Sequence, residues 1–189
     1  MDIPATATDH DLMHRTQCGD AVAFEELVRR WQHPVGRMVG HLLGPRADID
    51  DLCQEVFLRV LRARERYHAT YAFSTWVYRI ALNVARDSRR REVRHPRESL
   101  GETDVASSAS PPDAALAQHE TAALVAAAVA SLPDPLREVL VLKHFGKLSF
   151  NEVAVAAGLP LGTVKSRMQA AMKRLILELR RRGVTDTES

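Results

Sequence analysis

Cysteine is scarce: Cys18 and Cys53 are the only two in a chain of 189 residues. They lie far apart, without Cys-x-x-Cys or Cys/His ligand spacing, which excludes a disulfide framework and a zinc cluster and fits a reducing compartment. Aromatic residues are only 5% of the chain, and no run alternates β-branched with polar residues. No strand is expected, and the chain reads as all-α. Long apolar runs are missing as well. No window approaches the ~18 apolar residues of a membrane span, and the amino-terminal MDIPATATDHDL carries no apolar signal core. A cytoplasmic chain without membrane insertion is expected. Neither sign of charge is in excess, with 26 basic against 24 acidic residues and a formal net charge of +2. That argues against a simple polycationic binder and for separate surfaces serving separate partners. No Gly-rich phosphate loop, nucleophile and base pairing or metal-ligand cluster can be assembled from residues near one another in sequence. No catalytic residue, metal or cofactor is therefore expected.

What is present is amphipathic helix. The 46% hydrophobic content is that of a folded chain. Between Glu92 and Ala115 the composition turns to Pro, Gly, Ser and charge with almost no large apolar residue. Residues 92–115 read as a flexible linker, dividing two small helical domains, 9–91 and 116–183, each with a modest core. In the first, Asp20 can cap a helix whose stripe runs Phe24, Leu27, Val28, Trp31, Val35, Met38, Val39, Leu42, bent at Pro34 and stopped by Gly44-Pro45. A second helix, capped by Asp48, buries Ile49, Leu52, Val56, Phe57 and Val60. It leaves Asp50, Asp51, Gln54 and Glu55 on or near its outer face. Anions at a helix start are favoured by up to ~1 kcal/mol, so simple stabilisation accounts for this patch; so does docking of a basic partner.

After the loop Tyr67 to Ala72, the segment FSTWVYRIALNVARDSRRR buries Phe73, Val77, Ile80, Ala81 and Val84 and exposes a stripe of Arg79, Asn83, Arg86 and Arg90. From Arg86 to Arg97 six arginines face only Asp87 and Glu92, a repulsion that a polyanion would relieve. Trp31 and Trp76 sit on apolar stripes and are expected in the core, and His10 and His14 on a solvated helix face. Cys53 reads as a small buried thiol.

In the second half an Ala-rich helix spans about Leu116 to Ala130. Asp134 and Pro135 serve as N-cap and first residue of the next helix, which Gly146 stops. Then SFNEVAVAAGLPLGTVKSRMQAAMKR, from Ser149 to Arg174, reads as a helix-turn-helix. Ser149 and Glu152 make a capping box, Gly158 supplies the left-handed turn, and Val164, Met168, Ala171, Leu175 and Leu179 face the core. Thr163, Lys165, Ser166, Gln169 and Lys173 are left for phosphates and base edges. From Thr163 to Arg182 seven cations stand against Glu178 alone.

Four stretches together resemble the bacterial RNA polymerase sigma factors of the extracytoplasmic-function class. They are Asp50-Asp51-Leu52-Cys53-Gln54-Glu55-Val56-Phe57; Phe73 to Ala81 with Asn83 and the following arginines; Leu132-Pro133 with Arg137-Glu138-Val139; and Gly162-Thr163-Val164-Lys165-Ser166-Arg167. Asp50 stands where many relatives carry Glu, and Cys53 where a small or β-branched residue is commoner. The resemblance implies a non-enzymatic promoter-specificity subunit, a monomer when free, that binds core RNA polymerase and promoter DNA and is commonly held by an anti-sigma factor. It implies polymerase contacts at Asp51, Gln54 and Glu55, and minus-ten contacts at Tyr71, Arg79, Asn83, Arg86 and Arg90. For the minus-thirty-five element it implies reading by Lys165, Ser166, Gln169 and Lys173, with Thr163, Arg167 and Arg174 gripping phosphates. A stand-alone helix-turn-helix regulator is the competing reading.

Overall fold

Hydrophobic stripes of period 3.6 dominate the architecture of the computed structural model, which describes residues 7–44, 48–94 and 113–182. Among these residues there are eight α-helices and no strand. In the first half they are α1 (Asp9–Gln17), α2 (Ala21–Leu43), α3 (Ile49–Arg62), a 3-10 turn (Arg64–Arg66) and α4 (Phe73–Arg94). In the second they are α5 (Asp113–Ala130), α6 (Asp134–His144), α7 (Phe150–Ala157) and α8 (Leu161–Arg181). The ends of the expected linker, 92–94 and 113–115, are helical, and the rest of it, like Pro45 and Arg97, lies outside the described residues. No helix among the described residues is long and apolar enough to cross a membrane.

The caps follow the local chemistry. Side chains of Asp20, Asp48 and Ser149 accept from backbone N–H groups of the first turns they precede, and Glu152 closes the box by accepting from Ser149 N at 2.8 Å. These bonds hold the Glu152 carboxyl below its ordinary pKa. Gly158 ends α7 at φ 67°, a left-handed conformation that suits glycine. α2 continues through Pro34 because Leu27 before it and Val35, Met38, Val39 and Leu42 after it are all buried on one side. The expected start of α6 is corrected by one residue. Pro133 is the N-cap, and the Asp134 carboxylate, rather than capping, pairs with Arg89 at 2.7 Å and Arg137 at 3.5 Å.

The helices of both halves share one continuous apolar core, from Leu12, Leu27 and Leu82 through to Leu140, Val153 and Met168. α4 packs on α7, and α2 on α5 and α6. His41 of α2 stacks on Phe145 at 3.6 Å between ring centroids. Gly146 lies so near that an added Cβ would meet Leu142 O at 2.6 Å and the Tyr78 ring at 3.3 Å. Leu42 O, at the end of α2, accepts from both Arg89 (3.1 Å) and Arg137 (2.8 Å). Arg137 also donates to Ala130 O and Leu132 O, so one guanidinium satisfies carbonyls that helix ends leave without partners.

Candidate nucleic-acid interface

The residues expected to make contacts lie on three surfaces. On α8, Lys165, Ser166, Gln169, Lys173 and Arg174 are exposed, with Thr163 and Arg167 half-buried at their edge. They share the side of the helix opposite Val164, Met168 and Ala171, whose burial fixes its orientation against α6 and α7. The capping box, Gly158 and this stripe together make a rigid helix-turn-helix whose second helix presents donors outward.

On α4, Arg79, Asn83 and Arg90 are exposed, and Tyr71 in the preceding loop is 46% exposed. Arg86 does not belong to this open stripe. Its guanidinium forks onto the Glu138 carboxylate of α6, with Nη2 and Oε2 at 2.7 Å and Nε and Oε1 at 3.1 Å, and this contact raises its pKa. Glu138 is almost fully buried there, with Arg89 a second cation 3.9 Å away. The stripe was read from α4 in isolation, and the partner lies 52 residues further along. Tyr67, at the head of the loop, is likewise not a surface residue but part of the core.

On α3, the polar residues divide between two sides, with Asp50 and Gln54 on one and Asp51 and Glu55 on the other. Gln54 borders an apolar groove against α2, lined also by Phe24, Val28, Ile49 and Cys53. Burial pushes the Cys53 thiol up, so it stays protonated. Asp51 and Glu55 border a second hollow with Asp87, Arg90, Arg91 and Arg94 of α4. Neighbouring Asp48 raises the Asp51 pKa through a hydrogen bond and like charge. Glu55 is not free: Arg59 bonds it at 2.7 Å and reaches Asp87 at 2.8 Å, bracing α3 to α4. Arg59 with Glu55 is an i,i+4 pair legible within α3, whereas its reach to Asp87 and the burial of Tyr67 join elements far apart in sequence. His10, expected on a solvated face, meets the Tyr67 hydroxyl at 2.8 Å through Nδ1.

Comparison with known proteins bears on these surfaces directly. A family model for Sigma-70 region 2 matches residues 27–95, and one for Sigma-70 region 4 matches residues 122–175. The ECF RNA polymerase sigma-E factor of Escherichia coli is 34% identical over 170 residues, covering 85% of this chain and 88% of that protein. The chain belongs to the extracytoplasmic-function sigma factors. It is thus a promoter-recognition subunit of RNA polymerase. The RNA polymerase sigma-H factor of Pseudomonas aeruginosa is 32% identical over 169 residues, with the same shares covered. Among solved structures, that of CnrH in complex with the cytosolic domain of CnrY has a TM-score of 0.69 at 26% identity, covering 91% of this chain and 97% of that one.

In this sigma factor the region 2 match encloses the α3 and α4 surfaces, and the region 4 match encloses the α8 surface through Arg174. α1 lies ahead of the matched segment. The Arg86 and Glu138 pair therefore joins region 2 to region 4.

Proposed function

We propose that the chain brings core RNA polymerase to a two-part promoter and favours its opening, without catalytic activity of its own and in the cytoplasm. Two neighbouring sides of α3, one carrying Asp51 and Glu55 and the other Gln54, dock on the polymerase. Arg79, Asn83, Tyr71 and Arg90 hold the unpaired minus-ten strand, which stacks and pairs with side chains only after the duplex parts. Lys165, Ser166, Gln169 and Lys173 read the minus-thirty-five element in the major groove while Thr163, Arg167 and Arg174 grip phosphates. The observation that carries this reading is the presence of two outward cationic surfaces, one on each half, with an acidic patch on α3 bordering the one on α4.

Both halves cannot engage in the closed packing. The two elements lie roughly 25 base pairs apart, about 85 Å of duplex at ~3.4 Å per pair. A folded chain of this length is about 40 Å across. A tether from Arg94 to Asp113 reaches at most about 60 Å, enough to carry region 4 to the distant element once the halves part. Parting also releases Arg86 from Glu138 for the minus-ten strand. An anti-sigma protein that grips the closed arrangement then has only to stabilise what the chain already forms, and the monomer is the species it captures.

The test is reconstitution with core polymerase, with permanganate reactivity of thymines reporting opening at a promoter mapped after induced expression. Arg79→Ala combined with Asn83→Ala is expected to reduce opening at least ten times more than closed-complex binding, about 1.4 kcal/mol in the opening step. Equal loss in both steps refutes the division of labour. Tight binding of a palindrome by the free chain, with no association with polymerase, refutes the sigma mechanism in favour of a stand-alone regulator.

A further inference from the structure

The minus-ten loop is anchored from an unexpected direction. Gln17, the last residue of α1, donates its side-chain amide to Arg64 O at 2.8 Å and to Tyr67 O at 3.1 Å. Those carbonyls belong to the first residue of the 3-10 turn and to the residue that follows it. Tyr67 is 5% exposed, its ring edge-on to His10 at 5.4 Å and packed on Phe73 and Trp76 at 5.9 and 5.1 Å. Burial beside Asp9 pushes its phenol up to about 12, so the hydroxyl stays protonated at neutral pH, hydrogen-bonded to His10 Nδ1 at 2.8 Å. At the far end of the loop, Phe73 is buried against Trp31 at 5.5 Å, and Trp31 donates its indole N–H to Asp9 at 3.0 Å. α1 therefore reaches both ends of a loop in which residues 68–72 are exposed. α1 is itself held firmly, by a capping box of Thr8 and Asp11 and by complete burial of Leu12 and Met13.

Capturing a flexible strand on a flexible loop costs the ordering of both, on the order of 1–2 kcal/mol for each backbone residue fixed. A loop pinned at both ends has less to lose. We propose that α1 is the buttress of the strand-capturing loop, with Gln17 and His10 as positioning residues that hold the path from Tyr67 to Phe73 in its binding shape. The proposal rests on the reading of that loop as the minus-ten contact given above.

The test uses the full chain, free and in holoenzyme, with a fluorescein-labelled single-stranded hexamer selected from a randomised pool against the unaltered protein. Gln17→Glu keeps the size of the side chain but removes both donated bonds. It is expected to weaken hexamer binding about tenfold, the effect of losing two ordinary hydrogen bonds, while core polymerase affinity stays within about twofold. Amide exchange at residues 68–72 is expected to accelerate in the same variant. His10→Ala is expected to weaken the hexamer about threefold and His10→Asn, whose amide can replace Nδ1, to restore it. Tyr71→Ala, which leaves the buttress intact, reports on the loop itself. If Tyr71→Ala weakens the hexamer and Gln17→Glu does not, the buttress is refuted. If Tyr71→Ala has no effect, the loop reading beneath it fails. Equal losses of polymerase and hexamer binding in Gln17→Glu would show a general structural role and overturn the positioning role.

Discussion

Removing Glu138 should make the free chain a better binder of single-stranded minus-ten DNA, although Glu138 touches no DNA in the proposed mechanism. Its side chain is 6% exposed and that of Arg86 is 28% exposed, with the two joined by a bidentate contact. Truncating one partner of a fully buried pair costs about 3–5 kcal/mol. The exposure of Arg86 and the second cation, Arg89, reduce this, so the pair is expected to favour the closed packing by about 2 kcal/mol. Apparent affinity scales with the fraction of molecules in the competent state, so Glu138→Ala should tighten binding of the hexamer by the free chain up to about 30-fold. The gain stops earlier if the open state already dominates. Arg86→Ala also loosens the latch, but it removes a strand contact and should show no such gain. The assay is fluorescence anisotropy on free chain and holoenzyme in parallel. In holoenzyme, where region 4 is already held apart, Glu138→Ala should be neutral within about twofold. An unchanged affinity of the free chain, or an equal gain in both forms, refutes the latch.

Arg137→Ala should lower stability by about 2–3 kcal/mol, since Ala130 O and Leu132 O lose their donor and Leu42 O keeps only Arg89; Arg137→Lys should recover less than half, because an ammonium cannot fork. Thermal unfolding followed by circular dichroism checks both. His41 is held below its ordinary pKa of 6.5, first by burial and then by Arg37. The closed packing, in which His41 lies on Phe145, is therefore fully supported above pH 6.5. Below it the open or unfolded chain takes up protons more readily, and support falls until the depressed pKa is passed. Amide exchange at the His41 and Phe145 contact should accelerate as pH falls through this window, and His41→Phe should remove that dependence. On α8, Lys165→Ala should change sequence preference in the minus-thirty-five element. Arg174→Ala should instead weaken all sequences alike and reduce the salt slope by about 0.9, measured by titration at several salt concentrations.

What could be read in advance was local. The Ser149 and Glu152 capping box, Gly158 and the caps at Asp20 and Asp48 each act within four residues. The stripes of α2 and α8 repeat every three or four, so helix, face and turn were legible without a partner. The exposed positions of Lys165, Gln169, Arg79 and Asn83 followed from the same period. Arg86 had the same period and a different fate. Its partner is 52 residues away, Gln17 meets Tyr67 across 50, and Arg137 meets Leu42 across 95. Nothing in a helical repeat encodes such pairs.

By itself, then, the sequence determined the all-helical architecture, the turn and charge of the helix-turn-helix, and the residues free to face a polyanion, because each depends on neighbours along one helix. Only the tertiary structure decided that the two halves share a core, that Arg86 is neutralised by Glu138, and that α1 braces the Tyr67 to Phe73 loop. Those outcomes depend on which surfaces desolvate together. A charge that looks free on one helix is committed once burial brings an opposite charge within 3 Å.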